Sequence, residues 1–520
     1  MAENSEIADF YKERTVFITG ATGFMGKVLV EKLLFSCPDL KRIYVLIRTK
    51  RGIPPALRIE EIFKIPLFER LRRQHPDRLS KVTALEGDVS LEGVGVSAPD
   101  RATLVSQVSV VFHLAASLKL EGRLKQLVNT NLQGTQRVLD LCSQMEQLKM
   151  MLHLSTAFCH VDVVEMEERV YSGDTDPQDV IAITRWMDAQ SLDNVTARLI
   201  SPHPNCYTYT KRLAETLVDK SRKIIPVSIA RPSIVTPAIE EPMAGWVDNL
   251  NGPMGLLVGG GKGVIRTMHC RGELCAQVIP VDKAINAIIA FVPSAAAIYE
   301  KNRNTETPVM NITQEGFVDP VTWSEVLEKG KRLAWENPFE MMLWYPNGSI
   351  HASWLMHSIC VLLFHWLPAY FIDLMMLVFQ QKTFMVRIQT RIQEGLRSLQ
   401  YFTTKEWKFH NKIMHKLCRS MSAADKKSFP IEAPKDFQLE NYLRHCILGA
   451  RQYLMKEDPA TLPRQRKVIK LLYVLDRLVA MTFYMLILWT IYNNSQVLLK
   501  LIGGSNTGTV SLTPFNSRIK

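Results

Sequence analysis

Short β-branched, apolar runs alternate with longer helical stretches over roughly the first 300 residues. Thr15–Thr19 (TVFIT), Arg42–Ile47 (RIYVLI), Val82–Leu85, Val108–His113, Met151–Leu154 and Val227–Ala230 read as strands. Their near-continuous hydrophobicity is that of strands covered on both faces, not of strands with one wet side. Helical periodicity fills the intervals, as in Leu124–Leu141 and Lys211–Lys223. Strands alternating with helices predict βαβ units, hence an α/β fold with a parallel sheet and helices on both faces. Beyond about Pro308 the pattern changes to long, Met- and aromatic-rich helical stretches with few strand signals.

Two of these stretches are apolar enough to meet a membrane. Ser353–Phe379 is largely apolar for 27 residues, long enough to span, but His357, His365, Pro368 and Asp373 interrupt it. Ionisable residues in its interior favour a buried or monotopic hairpin at least as much as a span. In Leu471–Tyr492, Asp476 and Arg477 lie near the start and fifteen uncharged residues follow from Leu478. Arg464, Arg466 and Lys467 lie just upstream, so the positive-inside rule puts that side in the cytosol. Met1–Tyr11 is polar and acidic and has no signal-like apolar core, which also places the catalytic part in the cytosol. The chain thus divides into three regions. They are an α/β unit over 1–300, a helical region over 301–465 with the apolar segment 353–379, and a basic flank, anchor (471–492) and tail over 466–520.

Composition sharpens this only in part. Of 520 residues, 47% are hydrophobic and 22% charged, as for a folded multidomain protein. Nine scattered cysteines form no C-x-x-C pair, so neither a zinc site nor a disulfide framework is expected. The net charge of +12 is concentrated: Gln381–Lys470 carries 19 Lys and Arg against 8 Asp and Glu. With an apolar anchor following, that excess suits an anionic membrane surface or a phosphate-bearing substrate, and no nucleic acid is expected.

Candidate chemistry begins at the first strand's end. Thr19-Gly20-Ala21-Thr22-Gly23-Phe24-Met25-Gly26 joins strand to helix, where glycines let a pyrophosphate approach and the helix N-terminus stabilises its charge. Twenty-two residues past Gly26 the second strand ends in Arg48, with Arg58 further on. An arginine there, in place of an acid, suits the 2′-phosphate of NADPH. Tyr207-Thr208-Tyr209-Thr210-Lys211 puts Tyr207 and Lys211 on one helix face. A nearby ammonium is expected to lower the phenol's pKa and let it protonate a carbonyl oxygen during hydride transfer. The strand ending His153-Leu154-Ser155-Thr156 offers a hydroxyl to polarise that carbonyl, Thr156 first and Ser155 second.

The order TGATGFMG, VFHLAAS, HLSTAF, YTYTK and ARPSIV resembles the extended short-chain dehydrogenase/reductases. More narrowly, TGATGFMGKVLVEKLL, NCYTYTK, GWVDNLNGP, VIPVD, HWLPAY and YLRHCILGARQYL resemble the eukaryotic fatty acyl-CoA reductases, over about residues 10–495. The resemblance implies a Rossmann-type domain, NADPH, and reduction of long-chain acyl-CoA to alcohol through an aldehyde. It places the pyrophosphate at Gly20, Gly23 and Gly26 with Thr22, Phe24 and Met25 between them, and the 2′-phosphate at Arg48. Asp88 and Val89 would flank the adenine, Ala115 and Ala116 the middle of the dinucleotide, and Pro232, Ser233 and Ile234 the nicotinamide. Tyr207 and Lys211 would be the acid and its tuner. Ser117 and Phe158 depart mildly from the family pattern, while Cys206 and His365 read as packing residues. Membrane lipid is an expected partner, in the endoplasmic reticulum or peroxisome, although the C-terminal Ser-Arg-Ile-Lys is not a Ser-Lys-Leu signal. A homo-oligomer is left open. The competing readings are a membrane-bound hydroxysteroid dehydrogenase, a sugar-nucleotide epimerase, or a scaffold that has lost its chemistry.

Overall fold

The computed structural model describes residues 5–503 except 172, 305 and 315–318, with side chains through Asn494. The C-terminal tetrapeptide and most of the tail therefore lie outside the described residues.

Seven parallel strands form the central sheet: β1 (Thr15–Thr19), β2 (Arg42–Ile47), β3 (Val82–Glu86), β4 (Val108–His113), β5 (Met150–Leu154), β6 (Val227–Pro232) and β7 (Val309–Ile312). Their spatial order is β7-β6-β5-β4-β1-β2-β3. β1, β4, β5 and β6 are buried along their whole length, as their unbroken apolar runs require. The six strands expected from the sequence are present within a residue or two. The seventh, β7, lies beyond the helical boundary expected at residue 300 and completes the sheet beside β6.

Eight helices build the site, its surroundings and the apolar surface: α1 (Phe24–Ser36), α2 (Cys206–Ser221), α3 (Pro253–Gly261), α4 (Val281–Lys301), α5 (Trp323–Glu336), α6 (Trp354–Val378), α7 (Leu439–Gly449) and α8 (Leu462–Gly503). α1 and α4 pack against each other on one face of the sheet, and the buried side of α4 is apolar from Ala287 to Val292. α2 packs on the opposite face with the helical stretch from Leu124 to Cys142.

The C-terminal region is sewn onto the sheet. The Asp425 carboxylate accepts from Ser5 Oγ at 2.6 Å and from the Ile7 N–H at 3.1 Å, across more than 400 residues of sequence. Lys408–Phe409 pairs as a short parallel strand with Glu165–Met166.

Of the span and the hairpin that the sequence left open, α6 has the continuous form of the first, one helix with a π-type turn over Leu362–Trp366. Pro368 falls in the first turn after the π segment, where its missing N–H costs little. The interrupting polar residues face protein. His365 Nε2 accepts the Arg266 N–H at 2.8 Å, and Asp373 caps the helix Met385–Thr403 by accepting from the N–H groups of Phe384, Met385 and Val386. Leu355, Leu363, Phe371 and Leu374 are exposed on α6. On α8, Asp476 is buried against Trp344 and Arg266, while the large apolar residues from Leu478 to Tyr492 are exposed.

Candidate active site

The sheet order reverses between β1 and β4, and ligands of open α/β sheets bind at such a switch point. Here the two strand-end loops touch. Gly20 has φ +78, and a Cβ on it would meet the Ala115 nitrogen at 2.7 Å. A Cβ on Gly26 would stand 2.3 Å from the Gly20 carbonyl oxygen. Only glycine lets α1 begin this close to β1. Gly23 caps α1 without any side-chain hydrogen bond, so no side chain claims the first N–H groups of the helix. This cradle fits a pyrophosphate, the group the glycine spacing predicted.

A buried polar bridge fixes the cradle's floor. Thr19 Oγ1 hydrogen-bonds His113 Nδ1 at 2.7 Å and accepts the Ala115 N–H at 3.2 Å. His113 Nε2 lies 3.1 Å from Thr135 Oγ1, and burial lowers its pKa to about 3, so it stays neutral. Ala116 follows Ala115, half-buried, on the same loop.

The residues assigned to the adenosine end also converge. Arg48 Nη1 is 3.4 Å from Asp88 Oδ2, and Arg58 donates to the Arg48 carbonyl oxygen. The Arg48 side chain is 70% exposed, free to turn toward an added phosphate. Val89 is buried, and its carbonyl accepts from Arg137 at 3.0 Å.

The second cluster lies at the ends of β5 and β6. Past its last residue, β5 stays paired with its neighbour: the Ser155 N–H donates to Ala230 O at 2.8 Å and the Ala157 N–H to Pro232 O at 3.0 Å. Ser155, Thr156, Pro232 and Ser233 are thereby brought together, all buried. Thr156 Oγ1 accepts the Phe158 N–H at 3.3 Å, which leaves its own proton to donate. Ile234 opens a short strand, Ile234–Thr236, paired with Val278–Pro280.

α2 supplies the titratable pair. Asn205 caps it through the Thr208 N–H, placing Tyr207 in the first turn and Lys211 one turn later. Lys211 Nζ donates to the Leu154 carbonyl at 2.7 Å, tying α2 to the residue before Ser155. Burial lowers the Lys211 pKa to about 8 against the pull of Glu215 and Cys159. Burial raises the Tyr207 phenol, and Cys159 adds to the rise. The expected lowering by Lys211 does not enter this shift, which burial sets, and the ammonium's own hydrogen bond goes to a backbone oxygen. A phenol held high keeps its proton and suits a donor.

Two contributors were not singled out from the sequence. Arg231 on β6 is fully buried and binds Glu215 of α2 twice, Nε–Oε1 2.8 Å and Nη2–Oε2 2.6 Å. An arginine inside an apolar strand, and a glutamate four residues after Lys211, were the available signals. Asn131, in the π-type turn Val128–Gln133, grips both backbone groups of Ser117 and donates to Thr210 Oγ1 at 3.1 Å. Cys159, His160 and Glu215 have metal-ligand spacing, but both Glu215 oxygens already face the Arg231 guanidinium. His365 is engaged by the Arg266 N–H and Gln393, and Cys206 is buried in the core, so neither faces these clusters.

The model of the male sterility protein family matches this chain over residues 18–288, and a second model of that description matches residues 364–457. Fatty acyl-CoA reductase wat of Drosophila melanogaster is 35% identical over 491 residues, 94% of this chain and 93% of its own length. Fatty acyl-CoA reductase 1 of Gallus gallus is 35% identical over 461 residues, covering 89% and 88% of the two chains. Among solved structures, the terminal R domain of the myxalamid PKS-NRPS pathway superposes with TM-score 0.56 at 15% identity, over 86% of this chain and 93% of that one. That last likeness is one of fold.

Gly26→Ala drives a methyl group into the Gly20 carbonyl, so titration of a nicotinamide dinucleotide by calorimetry should show binding weakened tenfold or more, about 1.4 kcal/mol. Unchanged affinity would exclude the cradle as the pyrophosphate site.

Proposed function

The chain belongs to the fatty acyl-CoA reductase family of male sterility proteins, an oxidoreductase family with a nicotinamide cofactor, and from that premise we propose how it works. It reduces a long-chain fatty acyl-CoA to the primary alcohol through an aldehyde, using two NADPH. One observation supports this reading most: Lys211, one turn after Tyr207 on α2, is tied to the Leu154 carbonyl beside the two strand-end hydroxyls, in a sheet that also carries the glycine cradle.

When bound, the dinucleotide supplies hydride to the carbonyl carbon. Thr156, with Ser155 behind it, hydrogen-bonds the carbonyl oxygen and draws charge onto it. Tyr207 delivers its proton to that oxygen as the charge develops. The product of the first step is a hemithioacetal, which breaks its carbon–sulfur bond to release CoA as the thiol and leave the aldehyde. The aldehyde oxygen occupies the same place, so Tyr207 protonates it in the second step after regaining a proton from solvent. Lys211, held to the Leu154 carbonyl, keeps a positive charge near the phenolate that forms between steps. No side-chain nucleophile is required, because the acyl group arrives already activated as a thioester.

The preference for NADPH rests on Arg48, exposed at the end of β2 with no acid in its place. For the membrane, α8 exposes apolar side chains from Leu478 to Tyr492 and crosses the bilayer, while α6 lies with its polar residues on protein and its apolar face outward. Arg464, Arg466 and Lys467 precede the apolar stretch of α8, which keeps the reductase body on the cytosolic side. Arg466 Nε donates to the Glu336 carbonyl at 2.7 Å, fastening that body directly to the base of the anchor helix.

Protein in vesicles given palmitoyl-CoA should consume two NADPH per hexadecanol, with products identified by mass spectrometry. Tyr207→Phe should lower kcat by roughly 100-fold or more while leaving dinucleotide affinity unchanged. A variant with wild-type kcat would remove Tyr207 from the chemistry. Arg48→Ala should raise KM for NADPH about tenfold and leave KM for NADH alone, and equal effects on both would reject Arg48 as the phosphate reader. In sealed microsomes an N-terminal tag should be cut by added protease without detergent, and protection would invert the proposed orientation.

A further inference from the structure

An apolar cavity of about 200 Å³ lies between α3, α5 and α7, and no step of the proposed chemistry uses its depth. Its lining includes Thr236, the last residue of the short strand that Ile234 opens, and Pro237 after it, so one end of the cavity lies two residues along the chain from Ile234. Tyr442 of α7 lies at that end and holds its backbone in place, its hydroxyl 2.8 Å from Pro237 O and 2.7 Å from Thr236 Oγ1.

One face of α5 lines the long wall: Trp323, Val326, Leu327, Gly330 and Ala334 follow the i, i+3, i+4, i+7, i+11 rhythm of a helix stripe. That stripe spans roughly 16 Å. In a protein of ordinary packing density such a stripe would be filled. Here it is broken by a glycine at mid-helix, a choice that weakens a helix relative to alanine. Gly330 lies in regular helix and needs no left-handed backbone, and a Cβ built on it meets no atom within 4 Å. Neither backbone conformation nor a tight neighbour accounts for the glycine. Across the cavity Gly260 of α3 is similarly open, its nearest contact the Ile265 oxygen at 4.0 Å. Both glycines sit among large apolar lining residues such as Met254, Leu257 and Trp323 and leave space that a side chain would fill.

We infer that this cavity receives the acyl chain of the substrate, and that Gly330 keeps its depth open and so sets the longest chain accepted. The inference rests on the acyl-CoA reading of the active site. The chain enters past Ile234 and Thr236 with the thioester left beside Thr156, and its methylenes lie along α5. The cavity's remaining walls, Ile265, Thr267 and Ile350, flank Arg266, which α6 and α8 both engage through His365 and Asp476.

Gly330→Leu fills the cavity halfway along α5 and is compared with wild type and Gly330→Ala on octanoyl-, lauroyl-, palmitoyl- and stearoyl-CoA. The full chain in vesicles is used, with kcat/KM read for each. Gly330→Leu should lose tenfold or more on stearoyl-CoA while octanoyl- or lauroyl-CoA stays within about twofold, and Gly330→Ala should keep the wild-type profile. A parallel profile for Gly330→Leu and wild type, or an equal loss at every length in protein whose melting temperature is unchanged, overturns the inference and leaves the reductase reading intact. Wild type inert on every acyl-CoA overturns that reading, and this inference with it. If Gly330→Leu does not fold, Ala334→Val one turn along the same stripe carries the same two outcomes.

Discussion

The buried ion pair between Arg231 and Glu215 is the constraint on which the arrangement of the site depends. Taking both charges out of water is costly, and removing one partner of such a pair costs about 3–5 kcal/mol because the other is left bare. The rest of the guanidinium and carboxylate is also engaged. Arg231 binds the carbonyls of Glu167 and Arg169, and Glu215 is approached by His160 and the Cys159 thiol. The pair therefore fixes three things at once: the height of α2 over the sheet, the end of β6, and the loop from Cys159 to Arg169. Lys211 lies one turn from Glu215, so its bond to Leu154, and with it the position of Tyr207, inherits that alignment.

The same loop carries the alignment to the C-terminal region. Glu168 accepts the Asn311 N–H at 3.0 Å and the Ile413 N–H at 2.6 Å, joining the edge strand β7 to the helix Lys412–Ser420. Burial raises its carboxyl to about 7 against those backbone donors. Together with the Asp425 cap on the N-terminal helix Glu6–Tyr11, these contacts make the C-terminal region part of one packed body with the sheet. The consequence for function is geometric. The segment that carries the outward apolar residues of α6 is tied back to the body through His365 and Asp373.

The glycine cradle, the six central strands and the Tyr–Lys helix were legible in the sequence because each is a local pattern. A strand buried on both faces must be apolar throughout, and a helix starting this close to a strand must begin with glycine. β7 was not legible, because four residues after a long helix carry no period, and only pairing with β6 makes them a strand. The Arg231–Glu215 pair escaped for a related reason. Each residue is ordinary on its own element, and its meaning arises only when α2 is laid across β6.

The clearest division concerns the three helices that, among the described residues, are long and apolar enough to cross a membrane. The sequence by itself marked the stretches of α6 and α8 as apolar and long enough to meet a membrane, and α4 meets the same measure of length and composition. Only the tertiary structure decided their fates: α4 is 78% buried within the fold, whereas α6 is 17% and α8 6% buried along the corresponding stretches. Hydrophobicity measures what a segment gains by leaving water and is indifferent to whether protein or lipid receives it. The phenol of Tyr207 follows the same rule. Its spacing from Lys211 came from the chain, but the direction of its pKa came from how completely the folded site removes it from solvent.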